Sequence, residues 1–255
     1  VKMLSGIPGD PFSAYPSALS EPYWRWQRLL VDDPALLAGP VGEISDPRID
    51  PLVRTKWSQH FPYNYYVPPG PEGSLENYPA GCGATAMAQI MKYYEWPKTA
   101  VGTPSFEISV WKDGDWVKEM RSLRGGDGAG GPYRWSEMVE EPDYSNTPDQ
   151  NRAIGSLLYD VGVACSALYA PDGTGIYVTS YEPQLPAVFG YDHIVFAHYP
   201  WGLDLPSGYM VSRFTERVNP CLDAGYPTIL VLPDHYAVCD GYGYEATVPY
   251  YHINM

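Results

Sequence analysis

Apolar residues recur at Ile154, Leu157, Leu158, Val161 and Ala164 within Pro148–Ala164, the spacing of one helix face, so this segment reads as a helix packed on a core. A second helix is predicted from Ala84 to Tyr94, a run of strong helix formers broken only at Pro97. Near the start, Ser20 precedes Glu21–Leu30 and suits a helix cap, and Arg213–Asp223 reads as a shorter helix interrupted by Pro220 and ended by Gly225. Extended patterns lie at Phe106–Val110 and Asp115–Lys118, and again near the end at Thr228–Leu232, His235–Tyr242 and Tyr250–Asn254. Helices early and an antiparallel sheet late describe an α+β domain.

Between these elements the chain is rich in turns. Its 255 residues include 25 glycines and 27 prolines, well above average usage, which implies long surface loops around a modest regular core. Residues 1 to 48 are especially Pro-rich and read as a linker or the tail of a pro-segment, with one domain over residues 49–255. The glycine loop Gly125–Gly131 lacks a following Lys-Ser/Thr and reads as a flexible connector. The chain begins at Val1, which suggests a fragment or a processed form.

A formal net charge of −14 repels phosphate backbones and anionic lipid, and no apolar run reaches the ~18 residues of a membrane span. Nucleic acid and membrane partners are therefore not expected. The four cysteines, Cys82, Cys165, Cys221 and Cys239, show no zinc-ligand spacing, and neither a metal nor a cofactor is expected. Cys165, Cys221 and Cys239 read as buried hydrophobes. His193 and His198, with Asp192 and Asp204 nearby, lack a recognisable ligand spacing, while His60 and His252 read as packed or hydrogen-bonded residues.

Cys82 stands apart from the other cysteines. It falls in the first turn of the Ala84–Tyr94 helix with Gly81 and Gly83 on either side, where the helix dipole favours an ionised thiol and lowers its pKa. A nucleophilic thiol needs a proton partner, a group to orient that partner and donors for a developing oxyanion. His235, Asn254 and Gln59 fill these roles, with the Cys82 backbone N–H as a second oxyanion donor.

Trp57-Ser58-Gln59 with Pro62-Tyr63-Asn64, Gly81-Cys82 with Ala84–Tyr93, His235–Tyr242, and Tyr251-His252-Ile253-Asn254 together resemble, in order, the motifs of the streptopain family of secreted bacterial cysteine peptidases. The resemblance covers about residue 50 to the end. It implies a papain-like fold, with a helical part carrying the nucleophile helix packed on an antiparallel sheet carrying His and Asn. It implies a Cys82 nucleophile, a His235 base, an Asn254 orienter and a Gln59 oxyanion donor. It further implies protein or peptide substrates, preference for an apolar side chain at the second residue before the cleaved bond, and secretion as a zymogen held by its own pro-domain or a protein inhibitor. The expected location is therefore outside the cell or in the bacterial envelope.

Two departures accompany the resemblance. Asp234 stands where the family usually has glycine, and Asn254 is followed only by Met255 where the family continues with a Trp- and Gly-rich stretch and further strands. The sequence thus predicts a domain lacking its C-terminal strands, with an unpaired edge beside Asn254. A catalytically compromised binding module and an acyl-transferring transpeptidase or amidase fit the same residues.

Overall fold

The computed structural model describes residues 24–27, 44–192, 194, 207–232 and 235–254, with the backbone alone at 24–27 and 207–211. Helix α1 spans Cys82–Tyr94, and Gly83 through Met91 are all buried. Its small residues, Ala84, Ala86 and Ala88, allow close approach on every side, so the helix is a central post and not a surface element. Glu95 ends it in the left-handed region at φ 46°, and Lys92 in the last turn donates to the Trp135 carbonyl at 2.8 Å.

Helix α2, Pro148–Ala164, starts at a full capping box: Thr147 accepts from the Gln150 N–H, the Gln150 side chain accepts from the Thr147 N–H, and Pro148 opens the helix. Every residue from Ala153 to Ala164 is buried, a wider contact than the single face predicted. Strands β3 (Ser105–Lys112) and β4 (Asp115–Ser122) form a hairpin turned at Asp113-Gly114, both at positive φ. They belong to a four-stranded sheet in the order β4-β3-β5-β6, with β5 at Leu168–Ala170 and β6 at Gly173–Gly175. Helix α3 follows at Tyr181–Phe189.

The second sheet is antiparallel. Strand β8 (His235–Glu245) pairs on one side with β9 (Val248–Asn254), and on the other with β7 (Thr228–Leu232) and β2 (Asp46–Ile49). Helix α4, Ser207–Asp223, begins six residues before the predicted start and continues through Pro220. The two faces of β8 serve two cores. Tyr236 and Val238 join the large core around α1 and α2, while Ala237, Cys239 and Tyr242 join a smaller one with Phe214, Val218 and Leu222 of α4.

Three sequence expectations are overturned here. The predicted helix over Glu21–Leu30 is instead strand β1, Trp24–Gln27, paired antiparallel to β9 with Trp24 opposite Asn254. Pairing along an open sheet edge outweighs a weak local helix preference, and aromatic residues favour strands. The same pairing means that the outer edge of β9 is covered, contrary to the unpaired edge expected beside Asn254. The glycine loop is also more ordered than a flexible connector: Gly126 donates to the Gly131 carbonyl, Gly130 to that of Arg124, and Asp127 Oδ1 accepts from the Ala129 and Gly131 N–H groups. Among the described residues no helix is long and apolar enough to cross a membrane.

Candidate active site

Cys82 is the first residue of α1, and the turn that delivers it is built for glycine. Gly81 has φ 94°, and a Cβ there would lie 2.6 Å from the Thr174 carbonyl oxygen of β6. Thr174 in turn donates from its hydroxyl to the Pro79 carbonyl at 2.6 Å, pinning the strand hairpin to the residues before the nucleophile. The other side of this run is held by Asn64, whose Nδ2 donates to the Asn77 and Tyr78 carbonyls at 3.0 and 3.1 Å. The Pro62-Tyr63-Asn64 motif thus acts as a brace for the approach to Cys82.

Gln59 lies beside the same run. Its carbonyl accepts the Ala80 N–H at 2.8 Å, and the Thr85 hydroxyl bridges to the Ser58 and Gly81 carbonyls. The half-buried Gln59 side chain makes no hydrogen bond to the described residues. No side chain caps α1, so the first-turn N–H groups face the sulfur and the space beyond it.

The beginning of β8 closes the site. The backbone N–H groups of Tyr236, Gly83 and Cys82 lie on the side of the sulfur and favour its thiolate. The Tyr236 ring is fixed by its hydroxyl, which donates to the Ile176 carbonyl at 2.8 Å, and by an edge contact with Tyr181. His235 is the adjacent residue, half-buried and paired in the strand with Leu232. Burial lowers its pKa from 6.5. Burial also pushes the Cys82 thiol up, and the three N–H donors only partly offset this, so the low thiol pKa expected from the helix terminus is not found. Desolvation outweighs the helix dipole.

Asn254 stands opposite Val238 of β8 and is buried. Its Nδ2 donates to the Thr55 carbonyl at 2.7 Å, and its Oδ1 has no hydrogen-bond partner among the described residues. No hydrogen bond joins His235 to either Cys82 or Asn254 among those residues. Asp234, Met255, His193 and His198 lie outside the described residues.

His252 is packed and hydrogen-bonded as expected: its Nδ1 meets Asp240 Oδ1 at 2.6 Å, and Asp240 Oδ2 accepts the Val53 N–H at 2.9 Å. His60 is exposed, 3.9 Å from a Glu76 carboxylate oxygen. Cys165 and Cys239 are buried, but Cys221 is not; it is half-buried on α4 and donates to the Arg217 carbonyl. Sequence reasoning missed Thr55, Gln89 and Asp240, buried polar residues that tie the site's elements together. The available signal was Gln89 itself, a polar side chain within an otherwise apolar run of α1.

The thiol protease/hemagglutinin PrtT of Porphyromonas gingivalis is 28% identical over 226 residues, 88% of this chain, and streptopain of Streptococcus pyogenes is 28% identical over 165 residues, 60% of it. The chain spans only 24% and 40% of the lengths of these relatives. Among solved structures, a fragment of Prevotella intermedia prointerpain A matches with TM-score 0.59 at 22% identity, over 82% of this chain and 68% of that one. Active interpain A, a cysteine protease of the same organism, matches with TM-score 0.58 at 24% identity over 78% of both chains. These structures share the α+β, papain-like fold. Residues 57–255 match the Peptidase C10 family, and the chain belongs to that family.

Proposed function

We propose that this chain is a cysteine endopeptidase that hydrolyses peptide bonds through a Cys82 acyl-enzyme. The observation that carries the reading is the meeting of the α1 N-terminus with the start of β8, where Cys82 packs against the core that includes Tyr236, the residue after His235. The raised thiol and lowered imidazole pKa favour a neutral resting pair. His235 therefore takes the thiol proton as the sulfur attacks the substrate carbonyl carbon, with Asn254 orienting the ring. The Gln59 amide and the Cys82 N–H stabilise the oxyanion. As it collapses, the C–N bond breaks and His235 returns the proton to the leaving amine. Water, deprotonated by His235, then releases the acid and restores the thiol.

Protein or peptide chains are the proposed substrates, and the named activities of PrtT, streptopain and interpain A support this. We read the protein as an exported zymogen, a reading supported by the relationship to prointerpain A. Residues 1 to 48 are then the tail of a pro-segment, docked through β1 and β2 and clipped between Gly39 and Arg54. N-terminal sequencing after incubation with active enzyme tests the clip, and cell fractionation tests export. For the activity itself, wild type should degrade casein while Cys82→Ala and His235→Ala do not. Casein binding without cleavage by the wild type would favour a binding module, and product capture by an added amine in place of water would favour a transferase.

A further inference from the structure

The segment from Leu52 to Gln59 touches every element that carries a proposed catalytic group. At its start, the Leu52 and Val53 N–H groups donate to the Asp240 carbonyl and to Asp240 Oδ2, binding it to β8. In its middle, the Thr55 carbonyl accepts from Asn254 Nδ2 of β9 at 2.7 Å, while the Thr55 hydroxyl donates to Gln89 Oε1 of α1 at 3.0 Å. The same Gln89 oxygen accepts the Trp57 N–H at 3.3 Å. At the end, the Gln59 carbonyl receives the Ala80 N–H, two residues before Cys82.

Gln89 lies two helical turns beyond Cys82 on α1, a spacing that returns to the same side of the helix. One rigid helix thus carries the nucleophile at its mouth and a buried amide lower down that grips Thr55. Thr55, Gln89 and Asn254 are each no more than 3% exposed, so water does not compete for these bonds. The orientation of the Asn254 amide follows from its partner: a carbonyl oxygen accepts only from the NH2 end. That fixes Oδ1 on the other side, where it is a buried acceptor without a donor among the described residues. An acceptor left vacant in this way is suited to the ring N–H of an imidazole.

We propose that Thr55 and Gln89 are positioning residues for Asn254: Gln89 locks the Thr55 hydroxyl, the Thr55 carbonyl holds the Asn254 NH2, and Oδ1 is thereby presented to His235. The inference rests on the assignment of Cys82, His235 and Asn254 given above. It names a physical link by which the nucleophile helix sets the orientation of the base.

Thr55→Val keeps the shape of the side chain and removes the donor to Gln89, whereas Thr55→Ser keeps the donor. With casein or a peptide substrate, Thr55→Val should lower kcat roughly 10- to 100-fold while KM stays within about twofold, because misplacement affects the reaction and not substrate binding. Thr55→Ser should restore most of the loss. In an Asn254→Ala background, Thr55→Val should cause no additional loss, since its effect passes through the missing amide. Thr55→Ala serves in the same cycle if the valine variant does not fold, with the thermal midpoint followed throughout. An unchanged kcat in Thr55→Val, or losses that multiply in the double variant, would overturn the relay. If Asn254→Ala keeps full kcat, the assignment of Asn254 as orienter falls and takes the relay with it. Impairment in Asn254→Ala without impairment in Thr55→Val removes the relay alone.

Discussion

Two opposing influences act on the sulfur of Cys82: burial pushes its pKa up, and three backbone N–H groups pull it down, with burial the larger. His235 is shifted the other way by burial, so its imidazole remains neutral, and competent as a base, to below pH 6.5. Iodoacetamide alkylation of Cys82 should therefore have an acid limb below pH 6.5, and in His235→Ala it should require alkali above pH 9. The half-buried Cys221 is an internal reference, and the buried Cys165, whose thiol is pushed up to about 12, should react last. Labelling of Cys82 no faster than Cys221 at pH 6 would count against the dyad. Gln59→Ala should reduce kcat by ~10² to 10³ with little change in KM, which steady-state kinetics would read. The placement of Cys82, His235 and Asn254 at the ends of α1, β8 and β9 was legible in the sequence, while the roles proposed for them await these tests. The direction of the Cys82 pKa was not legible, because a helix terminus is visible in sequence while the core against which Cys82 packs, Tyr181 and Tyr236 included, is assembled from distant parts of the chain.

At the level of elements, α2 was readable from its apolar spacing, α1 from its run of strong helix formers, and β7, β8 and β9 from their extended patterns. Short elements were not. Strands β5 and β6 have only 3 residues each and depend on pairing for their existence, and α3 carries an internal Pro186 that argues locally against a helix. Strand β1 is the most consequential case, because a segment with a helix-like start is extended by its partner β9. Its backbone pairs at Asn254, so its removal would expose a row of backbone groups beside the orienting residue. A chain lacking residues 1 to 43 should show a lower thermal midpoint and lower peptidase activity than the full chain, measured by calorimetry and casein hydrolysis. Clipping without removal should spare both, since the paired strand remains in place. Equal stability and activity after removal would show that β1 does not support Asn254.

Across the whole molecule, the site lies where two cores meet at β8, and one buried carboxylate holds a distant loop of the larger core. Asp160 accepts from the Arg124 and Gly125 N–H groups and from the Tyr133 hydroxyl, closing the glycine loop onto α2. Burial outweighs these donors and raises its pKa from 3.8 to about 6. The folded state therefore binds this proton more tightly than the unfolded state, and the associated stability is present below pH 3.8 and is lost as pH rises through about 6. Partial titration of other acids in a chain of net charge −14 adds to the trend by reducing self-repulsion as pH falls. Glu95, Asp127 and Asp143 act in the opposite sense: their lowered pKa values contribute stability above 4.5, 3.8 and 3.8, respectively, which is lost in more acid solution. His235 opposes Asp160 in this interval, because its lowered pKa removes stability as pH falls below 6.5. The Asp160 contribution is therefore read as the difference in thermal midpoint between wild type and an Asp160 variant, which should grow as pH is lowered from about 7 toward about 5. Asp160→Asn tests the assignment. An amide cannot accept both backbone N–H groups on separate oxygens, so the variant should be less stable at pH 5 by about 1–3 kcal/mol. Its midpoint should also gain less than that of the wild type on acidification between pH 6 and 4, because the titrating group is gone. A wild-type slope retained in the variant over that interval would assign the pH dependence to other carboxylates and leave Asp160 only its role in closing the loop.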